Sequence, residues 1–202
     1  MTVVAGLVLA AGAGRRFGGP KALAVSDGTP WVVRAVRRLQ AGGCEPVLVV
    51  TGAMAADVNA LLVNALLRET AIVVANPDWP TGVGSSVRAG LAAAAERPEV
   101  DAVVILPVDL PHVDEHDVRI VVAAVRSTTD PREVLLQAEF DGESGHPVAI
   151  GRHHWAAAAA AAVADVGARG YLRAAGATRV PLGGRVHGAD VDAPGGDLSE
   201  RP

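Results

Sequence analysis

The chain has 202 residues, half of them hydrophobic, with aromatics at only 3% and a formal net charge of −4. That length suits one domain, with a core built from Ala, Val and Leu rather than from rings. The acidic balance, with no basic run longer than Arg15-Arg16 or Arg37-Arg38, excludes nucleic acid as a partner. The lone Cys44 excludes an intrachain disulfide or a multi-cysteine metal site, and points to a reducing cytoplasm.

The apolar start precedes its arginines, the reverse of a secretory leader. The alanine run Ala156 to Ala162 is too short to cross a bilayer and reads as a helix. No membrane partner is expected, and the expected location is cytoplasmic.

Val3 to Leu9 is an unbroken apolar run that predicts a buried strand. It opens into a loop carrying Gly12, Gly14, Gly18 and Gly19, with Arg15, Arg16 and Lys21 among them. Glycines let backbone N–H groups approach an anion, and neighbouring cations fit a polyphosphate. The carboxyl end of a parallel strand is where open α/β sheets bind ligands. The spacing excludes two common phosphate loops. The dinucleotide fingerprint fails at Phe17, and the ATPase loop fails because Pro20 separates Gly19 from Lys21 and Ala22 follows.

Thr29-Pro30 reads as a helix cap with Pro at the first helical position. Trp31, Val32, Ala35, Val36 and Leu39 follow at helical spacing until Gly42-Gly43. Pro46 to Thr51 predicts a second strand, Ala55 to Leu67 a helix and Ala71 to Ala75 a third strand. This alternation predicts an α/β fold: three layers, a mostly parallel sheet with helices on both faces, Rossmann-like.

Asn76 to Ser86 is a loop that opens a helix over Val87 to Ala95, with Ser85 or Ser86 as its cap. Such a helix start also receives an anion or ribose hydroxyls. Ala102 to Leu106 predicts the fourth strand, ending in Pro107-Val108-Asp109-Leu110-Pro111. A carboxylate there is placed to hold Mg²⁺, which uses one or two protein carboxylates together with phosphates and water. The alternative role for Asp109, capping the next helix, falls equally well to Asp114. That helix runs Asp114 to Arg126, and a strand follows over Glu133 to Ala138. His112 with His116 fails the zinc-protease pattern, and His153-His154 cannot share a helix face. Both pairs read as solvated.

The string Leu9-Ala10-Ala11-Gly12, then Arg16-Phe17-Gly18, then Lys21 resembles the loop of nucleotidyltransferases with a glycosyltransferase-A-like fold. It departs only at Phe17, where that family has Met. Asn76, Trp79, Gly82, Ser86, Arg88 and Gly90 fit a second motif of this family. Gly145, His146, Pro147 and Arg152 fit a third, and Asp165 to Arg169 a fourth, with Ala164 for Gly. Asp190-Val191-Asp192 before Pro194 and Leu198 resembles its closing motif, with Ala193 for Thr and one extra Gly. The resemblance runs from Leu7 to Leu198 and is closest to the molybdenum cofactor nucleotidyltransferases, within them to the molybdopterin cytidylyltransferase branch.

With no internal repeat and no linker, the chain reads as one domain over residues 1–198, with 199–202 a disordered tail. The resemblance implies nucleotidyl transfer from CTP, or GTP, to the terminal phosphate of molybdopterin, with Mg²⁺ or Mn²⁺ as cofactor and a client molybdoenzyme as a partner. Arg16, Lys21 and Asp109 would be catalytic. Leu9, Ala10, Ala11, Gly12, Gly14, Lys21, Asn76, Gly82, Ser85 and Ser86 would bind the nucleotide. Asp109 with Asp190 or Asp192 would hold the metal. Arg169 would meet the acceptor, and His146 would either meet it or be a loop histidine with a backbone partner. Ala11 stands where the guanylyl branch has Gly, and its methyl would disfavour a purine. Rival readings are a nucleotidyltransferase for a sugar phosphate or a deazaflavin precursor, or a non-catalytic cofactor-delivery protein.

Overall fold

The structure, a computed structural model, describes residues 1–67 and 69–182. Strand β1 (Val4–Ala10) is central and buried along its whole length. Its side chains alternate between two cores, as a pleated strand requires. Val4, Val8 and Ala10 face one core, and Ala5, Leu7 and Leu9 face the other. Both faces are apolar, which is why the strand reads as a continuous hydrophobic run rather than an alternating one.

Six further strands complete the main sheet. They are β4 (Val47–Thr51), β5 (Ala71–Ala75), β6 (Ala102–Pro107), β7 (Leu135–Phe140), β8 (Glu143–Gly151) and β9 (Thr178–Pro181). The order is β5-β4-β1-β6-β8-β7-β9. The first four are mutually parallel, and β8 is antiparallel to both β6 and β7. The sheet is therefore mostly parallel, as expected, and the structure adds one reversed strand, β8.

Helices α1 (Trp31–Ala41), α2 (Ala55–Asn64) and α4 (Glu115–Ser127) supply Val36, Leu39, Val58, Leu62, Val118 and Val122 to one core. Helices α3 (Val83–Ala95), α5 (Trp155–Ala161) and α6 (Arg169–Ala174) supply Val87, Leu91, Trp155 and Leu172 to the other. Each fully buried aliphatic side chain contributes about 1.5–3 kcal/mol. Glycine permits the closest approaches of helix to sheet. A Cβ at Gly90 of α3 would lie 2.5 Å from Leu7 Cδ1, and one at Gly6 of β1 would lie 2.9 Å from Leu39 Cδ1 of α1.

Several local expectations need correction. A hairpin of β2 (Val25–Ser26) and β3 (Thr29–Pro30) takes the place of the Thr29 cap. Its turn is Asp27-Gly28, with φ of 49° and 70°. Helix α1 starts at Trp31 with Pro30 at the cap position and no side-chain cap. Helix α2 ends at Asn64, short of Leu67. Helix α3 starts at Val83 with Gly82 at the cap position, so neither Ser85 nor Ser86 is the cap. Asp114 does cap α4, in a reciprocal box with Asp117. His146 lies within strand β8 rather than in a loop.

The chain runs from β1 outward to β4 and β5, then returns to lay β6 on the other side of β1. Strand order reverses between β1 and β6. That reversal opens a crevice beyond their carboxyl ends.

Candidate active site

The loop after β1 leaves the sheet at the near side of this crevice. Three backbone bonds tie the strand ends together: Val108 N–H to Leu9 O at 3.2 Å, Ala53 N–H to Ala11 O at 3.0 Å and Asn76 N–H to Thr51 O at 2.9 Å. The loop closes on itself through Gly19 N–H to Gly14 O at 3.1 Å. Gly14 has φ +57°, and a Cβ there would lie 1.9 Å from Gly19 O, so only glycine fits. Gly12 faces open space. Arg15 and Arg16 at the tip are exposed. Phe17, the departure from the motif, packs against Trp31 with ring centroids 5.5 Å apart and anchors the loop to the start of α1.

Lys21 opens a single tight helical turn, Lys21–Leu23. Its Nζ donates to Asp109 Oδ2 at 3.0 Å across the crevice. The two side chains are 15% and 24% exposed, so the pair is shielded but reachable by solvent. The two most specific charged positions in the sequence are thus joined at the switch point, 88 residues apart in the chain.

The far wall is β8. Val148 pairs with Ile105, so the chain just before it runs beside the carboxyl end of β6. Burial pushes the His146 imidazole down to about 4, with the Asp109 carboxylate acting against that and Arg169 adding to it. His146 is therefore neutral at physiological pH and shares its electrostatic surroundings with Asp109 and Arg169. Arg169 begins α6. Lys21 and Asp109 thus meet in the crevice, and the charges of Asp109 and Arg169 both reach His146.

Other candidates are differently employed. Leu9, Ala10 and Ala11 have buried side chains, so only their backbones line the loop. The Ala11 methyl belongs to the core with Leu48 and Val50, and so is not an obstruction facing the crevice. Asn76 donates from Nδ2 to Ser85 Oγ at 2.9 Å and Ser86 Oγ at 3.1 Å, while its Oδ1 accepts from Asp78 N–H at 3.0 Å. All three side chains are buried, so this trio braces the loop. Gly82, at φ +111°, packs against Ala164 and Asp165, and Gly84 packs against the Ala162 carbonyl. Arg88 also donates to the Ala162 carbonyl. Trp79 lies over Gly52, where a Cβ would come within 2.6 Å of the ring. Arg152 donates to the carbonyls of Val100, Arg97 and Ala95 and stacks over Trp155 at 4.5 Å, clamping the end of β8. Asp190 and Asp192 lie outside the described residues.

The adjacent histidines are not merely solvated, contrary to expectation. His153 Nδ1 lies 2.7 Å from Glu133 Oε1, and His154 Nδ1 lies 2.7 Å from Tyr171 Oη. Asp130, Glu133 and His153 form an exposed group whose ligand atoms lie within 4.8 Å of one another, a geometry that could hold a metal ion. Sequence spacing gave no hint of it, because two separate segments meet there: the turn that carries Asp130 and Glu133, and the turn after β8 that carries His153. Leu135 pairs with Ile150 and Ala102 with Gly151, which puts the group at the amino end of β6, the opposite end from Asp109. Cys44 is buried, its thiol pushed up to about 12 by burial, and is inert.

The family match covers most of this architecture. The MobA-like NTP transferase domain matches residues 6–180. The chain belongs to this family. Among curated relatives of this MobA-like protein, nicotine blue oxidoreductase from Paenarthrobacter nicotinovorans is 38% identical over 181 residues, spanning 84% of this chain and 81% of that one. Rv0371c from Mycobacterium tuberculosis H37Rv superposes with a TM-score of 0.78 at 23% identity, covering 95% of this chain and 94% of that one. A nucleotidyl transferase from Methanothermobacter thermautotroptrophicus superposes with a TM-score of 0.76 at 19% identity, covering 96% and 93%. At those identities the two structures show the shared nucleotidyltransferase fold. A manganese complex of Rv0371c also superposes, with a TM-score of 0.72 at 22% identity, covering 94% of each chain. Among the described residues of this MobA-like chain, no helix is long and apolar enough to cross a membrane.

Proposed function

We propose that this nucleotidyltransferase transfers CMP from CTP to the terminal phosphate of molybdopterin and releases pyrophosphate. The observation that carries the reading is the Lys21–Asp109 pair at the β1/β6 switch point, faced by His146 and Arg169. The acceptor phosphate is already ionised, so the chemistry needs positioning and charge neutralisation rather than a general base. Backbone groups from Leu9 to Gly14 receive the nucleotide, and the braced loop from Asn76 to Ser86 forms the wall beside it. Arg16 and Lys21 neutralise the leaving pyrophosphate. Arg169 meets the acceptor phosphate, and neutral His146 offers it a hydrogen bond without adding charge.

A divalent ion, Mg²⁺ or Mn²⁺, suits the donor set, because the Asp109 carboxylate already holds a cation in the crevice. Asp109 and either Asp190 or Asp192 would hold it, and it would neutralise charge on the phosphates. The manganese complex of the Rv0371c neighbour agrees with a metal in this fold. The choice of CTP rests on the motif at residues 9–12 alone, since the Ala11 methyl lies in the core.

The name of the 38% identical relative favours a second reading, a redox enzyme on the same fold. Two assays separate the readings. Purified protein is given molybdopterin and each of the four nucleoside triphosphates in turn, and pyrophosphate release is measured. It is then tested for oxidation of reduced nicotinamide and flavin carriers. Pyrophosphate release fastest with CTP supports the proposal. A preference for GTP overturns the cytidylyl assignment. Carrier oxidation without pyrophosphate release favours the second reading.

A further inference from the structure

We propose that Lys21 is an internal counter-cation for Asp109, so that a divalent ion and a triphosphate enter this crevice as a coupled pair. The inference rests on the reading above only in taking Asp109 as the carboxylate that meets the metal.

The Lys21 ammonium sits 3.0 Å from Asp109 Oδ2, and both side chains are largely shielded from solvent. Like charges close to one carboxylate repel strongly where bulk water does not screen them. A divalent ion approaching Asp109 must therefore displace the ammonium or sit against it. The lysine backbone is pinned by the tight turn, with Leu23 N–H to Pro20 O and Ala24 N–H to Lys21 O, each at 3.0 Å. The four-carbon stem above it remains a flexible arm with a compact charge at its end. The glycine loop that carries Lys21 presents Arg15 and Arg16 on its exposed tip, so a polyanion arriving there gives the ammonium a second partner. Once Lys21 turns to the phosphates, Asp109 is released to the metal.

The coupling is reciprocal by thermodynamic linkage. If the triphosphate strengthens metal binding by some factor, the metal strengthens triphosphate binding by the same factor. Without nucleotide, the lysine keeps the carboxylate compensated, and metal affinity stays low.

The test titrates the nucleotide-free protein with Mn²⁺ alone, following free Mn²⁺ by electron paramagnetic resonance. Folding of each variant is checked by its thermal midpoint. Lys21→Met is expected to bind Mn²⁺ about tenfold more tightly than the wild type, within the usual range of site-to-site coupling. Lys21→Gln, which keeps a polar group beside Asp109, should show the same gain, and Lys21→Arg should match the wild type. Adding Asp109→Asn to Lys21→Met should erase the gain. Unchanged or weaker Mn²⁺ binding in both neutral variants overturns the proposal, as does an equal gain in Lys21→Arg. A gain that survives Asp109→Asn also overturns it, and places the ion elsewhere, with the Asp130–Glu133–His153 group the first site to check. None of these outcomes depends on turnover, so failure of the transfer reaction would leave this inference standing.

Discussion

A Cβ on Gly82 would lie 2.5 Å from the carbonyl oxygen of Ala164. The loop from Asn76 to Ser86 is thus built against the segment before α6 in a backbone-to-backbone contact. The φ of +111° at Gly82 adds a second reason for glycine. Gly82→Ala should lower stability by about 1–3 kcal/mol from the backbone strain alone, read as a lower thermal midpoint. An unchanged midpoint would mean that residues 162–165 retreat freely from the loop.

Asp109 and Lys21 are expected to fail in different ways. Asp109→Asn should abolish divalent-dependent turnover while leaving the fold intact, because the carboxylate stands at a strand end rather than in a core. Lys21→Ala should lower kcat by on the order of 10²–10³, the usual cost of losing one donor to developing charge. Steady-state kinetics separates the alternatives. A loss confined to KM would assign Lys21 to ground-state phosphate binding. Full activity in folded Asp109→Asn would remove it from the metal site.

His146 makes stability depend on pH. Its folded-state pKa of about 4 is below the ordinary 6.5. Between those values the unfolded chain binds the proton and the folded chain does not, so stability falls as pH drops from 6.5 to 4. The full shift corresponds to about 3 kcal/mol, an upper bound because the ring is only half-buried. Denaturant unfolding of wild type and His146→Asn across this window checks it. The variant should lose the slope that His146 contributes, and an identical slope in both proteins would refute the assignment.

Thr51 is 1% exposed, and its Oγ1 has no hydrogen-bond partner among the described residues. A buried hydroxyl without a partner costs more than an apolar group of the same shape. Thr51→Val should therefore raise stability by about 1 kcal/mol. A drop in unfolding free energy would show that the hydroxyl is satisfied in solution.

Much of this architecture was legible in the chain. Val3 to Leu9 and Ala102 to Leu106 read as strands because a strand covered on both faces has no polar side to break its pattern. The glycine-rich loop was legible because positive φ and close backbone approach leave few other residues possible. The β2–β3 hairpin has a turn signal in Asp27-Gly28, but its strands of two residues each are too short to show an alternating pattern. Serine's preference for cap positions points to Ser85 or Ser86, later than the true start of α3 at Val83. Here the serine hydroxyls answer Asn76, nine and ten residues upstream. The spacing of His153 and His154 could not show their partners, since Glu133 and Tyr171 come from other segments.

The sequence by itself determined the strand cores, the class of sheet and the position of the glycine-rich loop, because these follow from local periodicity and local backbone freedom. Only the tertiary structure decided what the charged and polar residues do. Lys21 and Asp109 meet because the strand order reverses between β1 and β6. Gly82 is glycine because Ala164 is there. The Ala11 methyl is buried because the chain leaving β1 carries it into the α3-side core. Each of these depends on which strand lies beside which, and side-chain chemistry acts over a few ångströms, a distance that spacing along the chain does not encode.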